Sequence, residues 1–457
     1  MKDLFLVNYS VRGIKTLDKL VSLSFYKKTI SKKLDTKEYN IKGIYGMNGS
    51  GKSGIITSVD ILKNILINPA YLNNPIVQKN LDAIINKKIG ELFIEADYVT
   101  EFGSEPFYFR YSVTLSKESS GKYLISHEQL CLKKATSKSD FMMKIFEVCN
   151  GEIVSADVRN DDKFYDMLSK KTANLLSSSS MSALVCEKII TDYLNEGEKR
   201  DNIFLAFLFT LLLFGKKIHV YMDQSDDHKE YFVQKSLSYY ENLEKNNSEV
   251  SLLIRNLVEL DNDYDDVILV SGNFVLKERY YKFVDTIKRM REFLQIFKKD
   301  LLDIEIEKKE DQNFYICNLI MVYDSYKIHA EFESTGIKKL IRLFAYLKEM
   351  VHGDIVFIDE FDSNLHDVYL CALLEYLMEY AEGQLCFTTH NVGPMDILKQ
   401  NKKSIEFLST DGNVYPWVTN GNYSPSKLYR NGMIEGSPFN VDCIDFIGIF
   451  GLSEEDE

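Results

Sequence analysis

Leu4-Phe5-Leu6-Val7-Asn8-Tyr9 opens the chain with the apolar-rich pattern of a strand. A second strand, Asn40 to Tyr45, runs directly into Gly46-Met47-Asn48-Gly49-Ser50-Gly51-Lys52-Ser53. Apolar residues then recur at helical spacing through GIITSVDILKNILI until Asn68-Pro69 ends the run. Between Glu91 and Val154 the texture turns to β, with ELFIEADYV, PFYFRYSVTL and KYLISHEQLCL separated by Gly and Ser turns. Residues 161–302 read as mostly helical and include the apolar run Ile203 to Phe214 and the mixed apolar and basic segment Lys277 to Leu302. Strands return at LLDIEIEKK, FYICNLIMVY and YKIHAEF. The final third alternates helix (Ile337 to Met350), strand (Asp354 to Ile358), helix (Asp367 to Tyr380) and strand (Gln384 to Thr388), the order of a parallel sheet. No stretch sustains heptads, which argues against a long coiled coil.

The two α/β blocks lie nearly 300 residues apart, and each reads as half of one nucleotide-binding sheet. We therefore expect one head in two halves (1–70 and 303–430), a β-rich lobe (88–155), a helical insertion (156–302) and a tail (431–457) with the acidic end SEEDE. Hydrophobic residues make up 45% and charged residues 27% of the 457, the balance of a folded chain. A net charge of −13 argues against a constitutive coat on DNA and leaves room for a local basic groove. The opening residues carry no long apolar core, so no leader is expected. The run Ile203 to Phe214 is too short for a bilayer span of about 20 residues and reads as a buried helix. Seven dispersed cysteines with no C-x-x-C pair predict reduced thiols in the cytoplasm, with neither disulfides nor a zinc site.

Four segments carry chemistry. Gly46 to Ser53 matches G-x-x-x-x-G-K-[ST] between a strand and a helix, the context that the motif requires. Its glycines let Asn48, Gly49, Ser50 and Gly51 turn their N–H groups toward phosphates; Lys52 reaches the β- and γ-phosphates, and the Ser53 hydroxyl is placed for Mg²⁺. ATP and Mg²⁺ are the expected ligands. Ile355 to Ile358 form a buried strand that delivers Asp359, expected on the metal, and Glu360, expected as general base toward water. Leu385 to Asn391 deliver His390 at a strand end, within reach of the γ-phosphate if neighbouring elements pair. Ser334, Thr335 and Gly336 open a helix, where they serve as an N-cap or as an anion-facing helix end.

In this order the pieces resemble the ABC-type ATPases with an SMC-like head. Gly46 to Ser53 looks like Walker A, Ser334 to Gly336 like a degenerate signature, Ile355 to Glu360 like Walker B, Ser363-Asn364-Leu365-His366 like the D-loop and His390 like the switch histidine. STGIKKL, IDEFDSNLH and TTHN resemble more narrowly the stand-alone ATPases of bacterial anti-phage systems of the PARIS, Septu and abortive-infection L types. The resemblance implies an α/β fold, with an ABC-type P-loop head, a β-rich lobe and a helical insertion between Walker A and the signature. It also implies a homodimer or larger even-numbered assembly in which Ser334 to Gly336 of one copy face the nucleotide held by Lys52 of the other. Two departures stand out. The signature lacks its second glycine, and no glutamine marks a Q-loop, where Glu95 or Asp97 lies instead.

The related overcoming-lysogenisation-defect proteins append a Toprim nuclease with a metal-binding carboxylate cluster. The 67 residues after His390 are few for such a domain, and Asp161-Asp162, Asp226-Asp227 and Asp265-Asp266 read as solvated loops. The expectation is an ATPase scaffold or sensor that controls a separate toxic effector of nuclease type and answers a phage-encoded trigger, with no membrane partner. The alternative is an SMC- or RecF-like DNA-repair ATPase that uses the basic face Arg279, Lys282, Lys288, Arg289 and Arg291; nucleic acid is compatible with the overall charge and is not indicated by it.

Overall fold

A computed structural model describes residues 4–30, 34, 36–102, 105–158, 164–166, 168–169, 175–186, 203–222, 268–310, 314–418 and 423–437. In chain order its main elements are β1 (Phe5–Arg12), β2 (Val21–Ser24), β3 (Ile41–Tyr45), α1 (Lys52–Ile67), α2 (Pro75–Ile84), β4 (Glu91–Phe102), β5 (Glu105–Lys117), β6 (Tyr123–Lys134), β7 (Met143–Cys149) and β8 (Glu152–Ala156). They continue with α3 (Ile203–Lys216), β9 (Ile218–Tyr221), β10 (Asn273–Leu276), α4 (Tyr280–Phe297), β11 (Asp303–Glu310), β12 (Phe314–Val322), β13 (Lys327–His329) and α5 (Thr335–Val351). The last are β14 (Ile355–Ile358), α6 (Asp367–Tyr380), β15 (Gln384–Thr388), α7 (Met395–Leu398), β16 (Ile405–Leu408), β17 (Val414–Pro416) and α8 (Pro425–Arg430).

The central sheet has the order β17-β16-β3-β15-β14-β9, with all its pairs parallel except β16 with β17. Both of its faces are covered, which explains why β3, β14 and β15 read as unbroken buried strands. Ile44, Ile355, Phe357 and Cys386 face a core shared with α1, α3 and the lobe. Val356, Ile358, Leu385 and Phe387 face the opposite core, built from α5, α6 and α7. A Lys42–Glu406 ion pair at 2.7 Å joins β3 to β16 inside the sheet.

The lobe is a seven-stranded antiparallel sheet of order β2-β1-β4-β5-β6-β7-β8. The apolar run of α3 wedges between this sheet and α1, where Phe214 stacks on Tyr98 at 4.3 Å. A third sheet, β10-β12-β11 with β13 beyond β12, packs with α4 and the start of α5 around its own core.

Two expected boundaries are corrected here. The helical insertion expected over 156–302 is not one unit. Its α3 fills the core of the head, and β9 is the edge strand of the central sheet beside β14. Nor does the head resume at 303, because β10 and α4 share one core with β11, β12 and α5. The tail expected over 431–457 is described only to Ser437, and within it Ile434 packs on the α5–α7 core. Asp161-Asp162, Asp226-Asp227 and Asp265-Asp266 lie outside the described residues. Among the described residues no helix is long and apolar enough to cross a membrane.

A short serine-rich segment ties the lobe to α1. The Ser180 and Ser182 hydroxyls donate to the carbonyls of Ile65 and Leu66 at 2.7 and 2.9 Å, which satisfies the last turn of α1. Between them the Met181 N–H donates to both oxygens of Glu128, which also accepts from the Tyr111 hydroxyl at 2.9 Å. Glu128 is fully buried. Burial pushes its carboxyl up to about 7, against the opposing pull of those two donors. A carboxyl raised in the fold adds stability at low pH and loses it as pH rises through the folded value. Glu128→Gln, permanently neutral, should therefore gain over wild type with rising pH and level off above pH 8 at roughly 1–3 kcal/mol. Thermal melts of both proteins from pH 5 to 8.5 test this, and a pH-independent difference would contradict it.

Candidate functional site

The central sheet aims three strand ends at one cleft. After β3 the chain curls through Gly46 to Gly51, with Gly49 at φ +79° and Gly51 at φ +105°, before α1 starts at Lys52. No side chain caps this helix, so its first N–H groups and its dipole are left for an anion. A Cβ on Gly51 would come within 2.4 Å of the Leu17 side chain, so the loop is seated against the β1–β2 turn. From that turn the Thr16 hydroxyl donates to the Gly49 carbonyl at 3.2 Å. The cleft, about 250 Å³, is lined by Lys15, Thr16, Asn48, Gly49, Ser50, Gly51, Lys52, Ser53, Gly54, Glu360, Thr388 and His390.

Lys52 folds back over the loop and donates to the carbonyls of Gly46 and Met47 at 2.7 and 3.1 Å. Burial lowers its pKa, and the nearby carboxylates of Asp359, Glu360 and Asp362 push it back up. Lys15 is lowered by burial in the same way and raised by Asp359. Two cations therefore face a group of acids across the cleft.

Thr388, at the end of β15, organises that acidic side. Its hydroxyl donates to Asp359 at 2.5 Å and accepts the Glu360 N–H at 2.8 Å. Glu360 has φ +48°, an uncommon conformation for a residue with a side chain, and it is exposed to the cleft. His390 lines the same cleft. Burial, then Lys52, lowers its pKa, and the three carboxylates oppose this, so the imidazole is neutral near pH 7.

Ser334, Thr335, Gly336, Ser363, Asn364, Leu365 and His366 do not line this cleft; the two segments meet where Thr335 and Gly336 contact Asn364. Ser334 caps α5 by accepting the Ile337 N–H. The Thr335 hydroxyl donates to Asn364 at 3.3 Å, and a Cβ on Gly336 would come within 2.8 Å of the Asn364 carbonyl. His366 caps α6 by accepting the Val368 N–H. Glu95 and Asp97 lie elsewhere, on β4, where Asp97 accepts from Tyr108 and Arg110.

Lys15, Thr16 and Thr388 are site residues that sequence reasoning missed. Thr388 stood inside the TTHN motif and went unremarked, while Lys15 and Thr16 sit in a polar turn with no distinctive spacing. The residues present suit a magnesium-bound triphosphate. The Ser53 hydroxyl and the Asp359 carboxylate are hard oxygen donors of the kind Mg²⁺ prefers. Ser50, which lines the cleft, has its Oγ buried with no hydrogen-bond partner among the described residues, which leaves that hydroxyl for a ligand.

A family model described as "AAA domain, putative AbiEii toxin, Type IV TA system" matches residues 206–396. That stretch holds β9, β14 and β15 and begins well after the P-loop. No curated protein matches the chain. Among solved structures, the SMC head domain from Thermotoga maritima is 13% identical with a TM-score of 0.32, and the match covers 91% of this chain and 100% of that one. The recombination mediator protein RecF-ATPrS in the RecFOR pathway is 13% identical with a TM-score of 0.38, covering 91% and 98%. The corresponding RecF-ATP structure is 12% identical with a TM-score of 0.35, covering 91% and 99%. The fold assignment stands on the strand order and the P-loop: this is an α/β P-loop head with an antiparallel lobe. The AAA-type match covers the stretch of this head that carries Asp359, Glu360 and His390. Lys52→Ala should lower ATP affinity by two orders of magnitude or more, on the order of 3 kcal/mol. Titration with a fluorescent nucleotide checks this, and wild-type affinity would refute the loop assignment.

Proposed function

We propose that the chain hydrolyses ATP as a homodimer or larger even-numbered assembly in the cytoplasm. In this reading each cleft is completed by Ser334, Thr335 and Gly336 of a second copy. The observation that carries it is the split arrangement of the site. Loop, Glu360 and histidine share one cleft, while the signature and D-loop segments meet at a second place on the same chain. A nucleotide in the cleft is thus left to be covered from outside.

The chemistry follows from the cleft. Water attacks the γ-phosphorus, Glu360 takes the water proton, and the bond to the bridging oxygen breaks to leave ADP and phosphate. Lys52 and Lys15 counter the charge on the phosphates. Neutral His390 offers an N–H to the γ-phosphate, and Thr388 holds Asp359 and the Glu360 backbone in place. Mg²⁺, held by Ser53 and Asp359, would neutralise the phosphate oxygens. Once the γ-phosphate is lost, the bridge between the copies goes with it.

The role we infer is that of a scaffold or sensor in an anti-phage, toxin–antitoxin-like system, which restrains a separate toxic effector of nuclease type until a phage-encoded trigger appears. The matched family's description names a putative toxin of a toxin–antitoxin system; it supports the toxin–antitoxin setting and does not assign the scaffold or sensor part to this chain. The reading as a DNA-repair clamp relied on the basic face of α4. There Lys288 and Arg289 stand 3.9 Å from Asp285, and Arg291 is 3.1 Å from Asp303, which weakens that face as a phosphate-binding surface.

Glu360→Gln should bind ATP normally, release phosphate about 100-fold more slowly or worse, and accumulate as an ATP-bound assembly in size-exclusion chromatography. Unchanged turnover would remove Glu360 as the base. Ser334→Arg should retain ATP binding and lose both assembly and turnover; full activity would reduce that segment to a helix cap.

A further inference from the structure

Lys339, in the early turns of α5, is 3% exposed. A buried ammonium is costly unless its hydrogen bonds are made, so its partners carry information. Lys339 Nζ donates to the Glu360 carbonyl at 2.6 Å and to the Ser363 hydroxyl. It also lies 5.8 Å from the centre of the Tyr221 ring. Tyr221 in turn accepts the Asp359 N–H through its carbonyl at 2.9 Å. One side chain therefore touches the turn after β14 at two points and the strand that supports Asp359 at a third.

That turn needs support. Glu360 and Asn364, at its two ends, have φ of +48° and +60°, a backbone region that non-glycine residues rarely hold unaided. Lys339 bonds the carbonyl of the first and the hydroxyl beside the second. Thr335 and Gly336, on the same helix, press on Asn364. The N-terminal turns of α5 and the turn bearing Glu360 are thus fastened together as one piece.

We infer that Lys339 is a positioning residue: it locks the Glu360 turn onto α5 and so holds Glu360 in line with the cleft. This rests on the proposed hydrolytic function and adds to it the side chain that keeps the base in place. Because the ammonium does not reach the cleft, its loss should spare nucleotide binding and strike the chemical step.

The test uses the full chain and the variants Lys339→Met, Lys339→Arg and Ser363→Ala, with nucleotide affinity and steady-state turnover measured separately. Lys339→Met keeps the length and loses both donated bonds. Its kcat should fall about 100-fold, the cost of misplacing a catalytic group by roughly 1 Å, while ATP affinity stays within about threefold of wild type. Lys339→Arg, which restores a donor, should recover most of the loss, and Ser363→Ala should cost about threefold to tenfold in kcat. Normal kcat in Lys339→Met, or affinity falling in step with kcat, overturns the inference. Should Lys339→Met fail to fold, Ser363→Ala decides, and unchanged kcat there overturns it equally. Wild-type protein that never turns over ATP defeats the hydrolytic reading and this inference together; a hydrolysing wild type with an unaffected Lys339→Met defeats this inference alone.

Discussion

The site depends on one constraint, the parallel and in-register pairing of β3, β15 and β14. Phe387 pairs with Gly43 on one side and with Ile358 on the other, so the three strands end within two residues of one another. Parallel strands share a direction, and their carboxyl ends therefore open on one edge. At that edge β3 releases the phosphate loop, β14 releases Asp359 and Glu360, and β15 places Thr388 between them. A one-residue slip of β15 would point the Thr388 hydroxyl into the core and leave Asp359 and the Glu360 N–H without their shared partner.

The phosphate loop and the Glu360 turn are held in different ways. The loop around Lys52 is held by backbone curvature and by contact with the β1–β2 turn. The Glu360 turn is held by side chains that arrive from other elements. Lys339 comes from α5 and Thr388 from β15, while Asn391 bonds Asp367 at the start of α6 at 2.8 Å. The geometry of the Glu360 side thus depends on how α5 and the end of β15 are packed, whereas that of the loop depends on its own backbone and the β1–β2 turn.

Much of this was legible in the chain. Helix 367–380 and strand 384–388 coincide with their expected bounds, because a helical apolar period and a fully buried strand are strong local signals. The P-loop, Glu360 and His390 line one cleft, and Asp359 is tied to it through the Thr388 hydroxyl. Strand β9 was not legible. Ile218 to Tyr221 is a four-residue strand next to a long apolar helix, and its partner β14 lies far along the chain. Nor was Lys339, since a lysine on an amphipathic helix reads as solvated. Only the carbonyl and hydroxyl of a distant turn make its burial tolerable.

The strand order also dictates when the chain can acquire its function during synthesis. Ile41 of β3 pairs with Leu385, about 340 residues downstream. At bacterial-type rates of 5–20 residues per second, the ribosome needs roughly 20 to 70 seconds to supply that partner. Strands β4 to β8 meet through successive hairpins and can assemble early, yet β3 must wait with an unpaired hydrophobic edge. The growing polypeptide is thus aggregation-prone and unable to bind nucleotide until its final third emerges, so truncated translation products should be inert as ATPases and clients for chaperones.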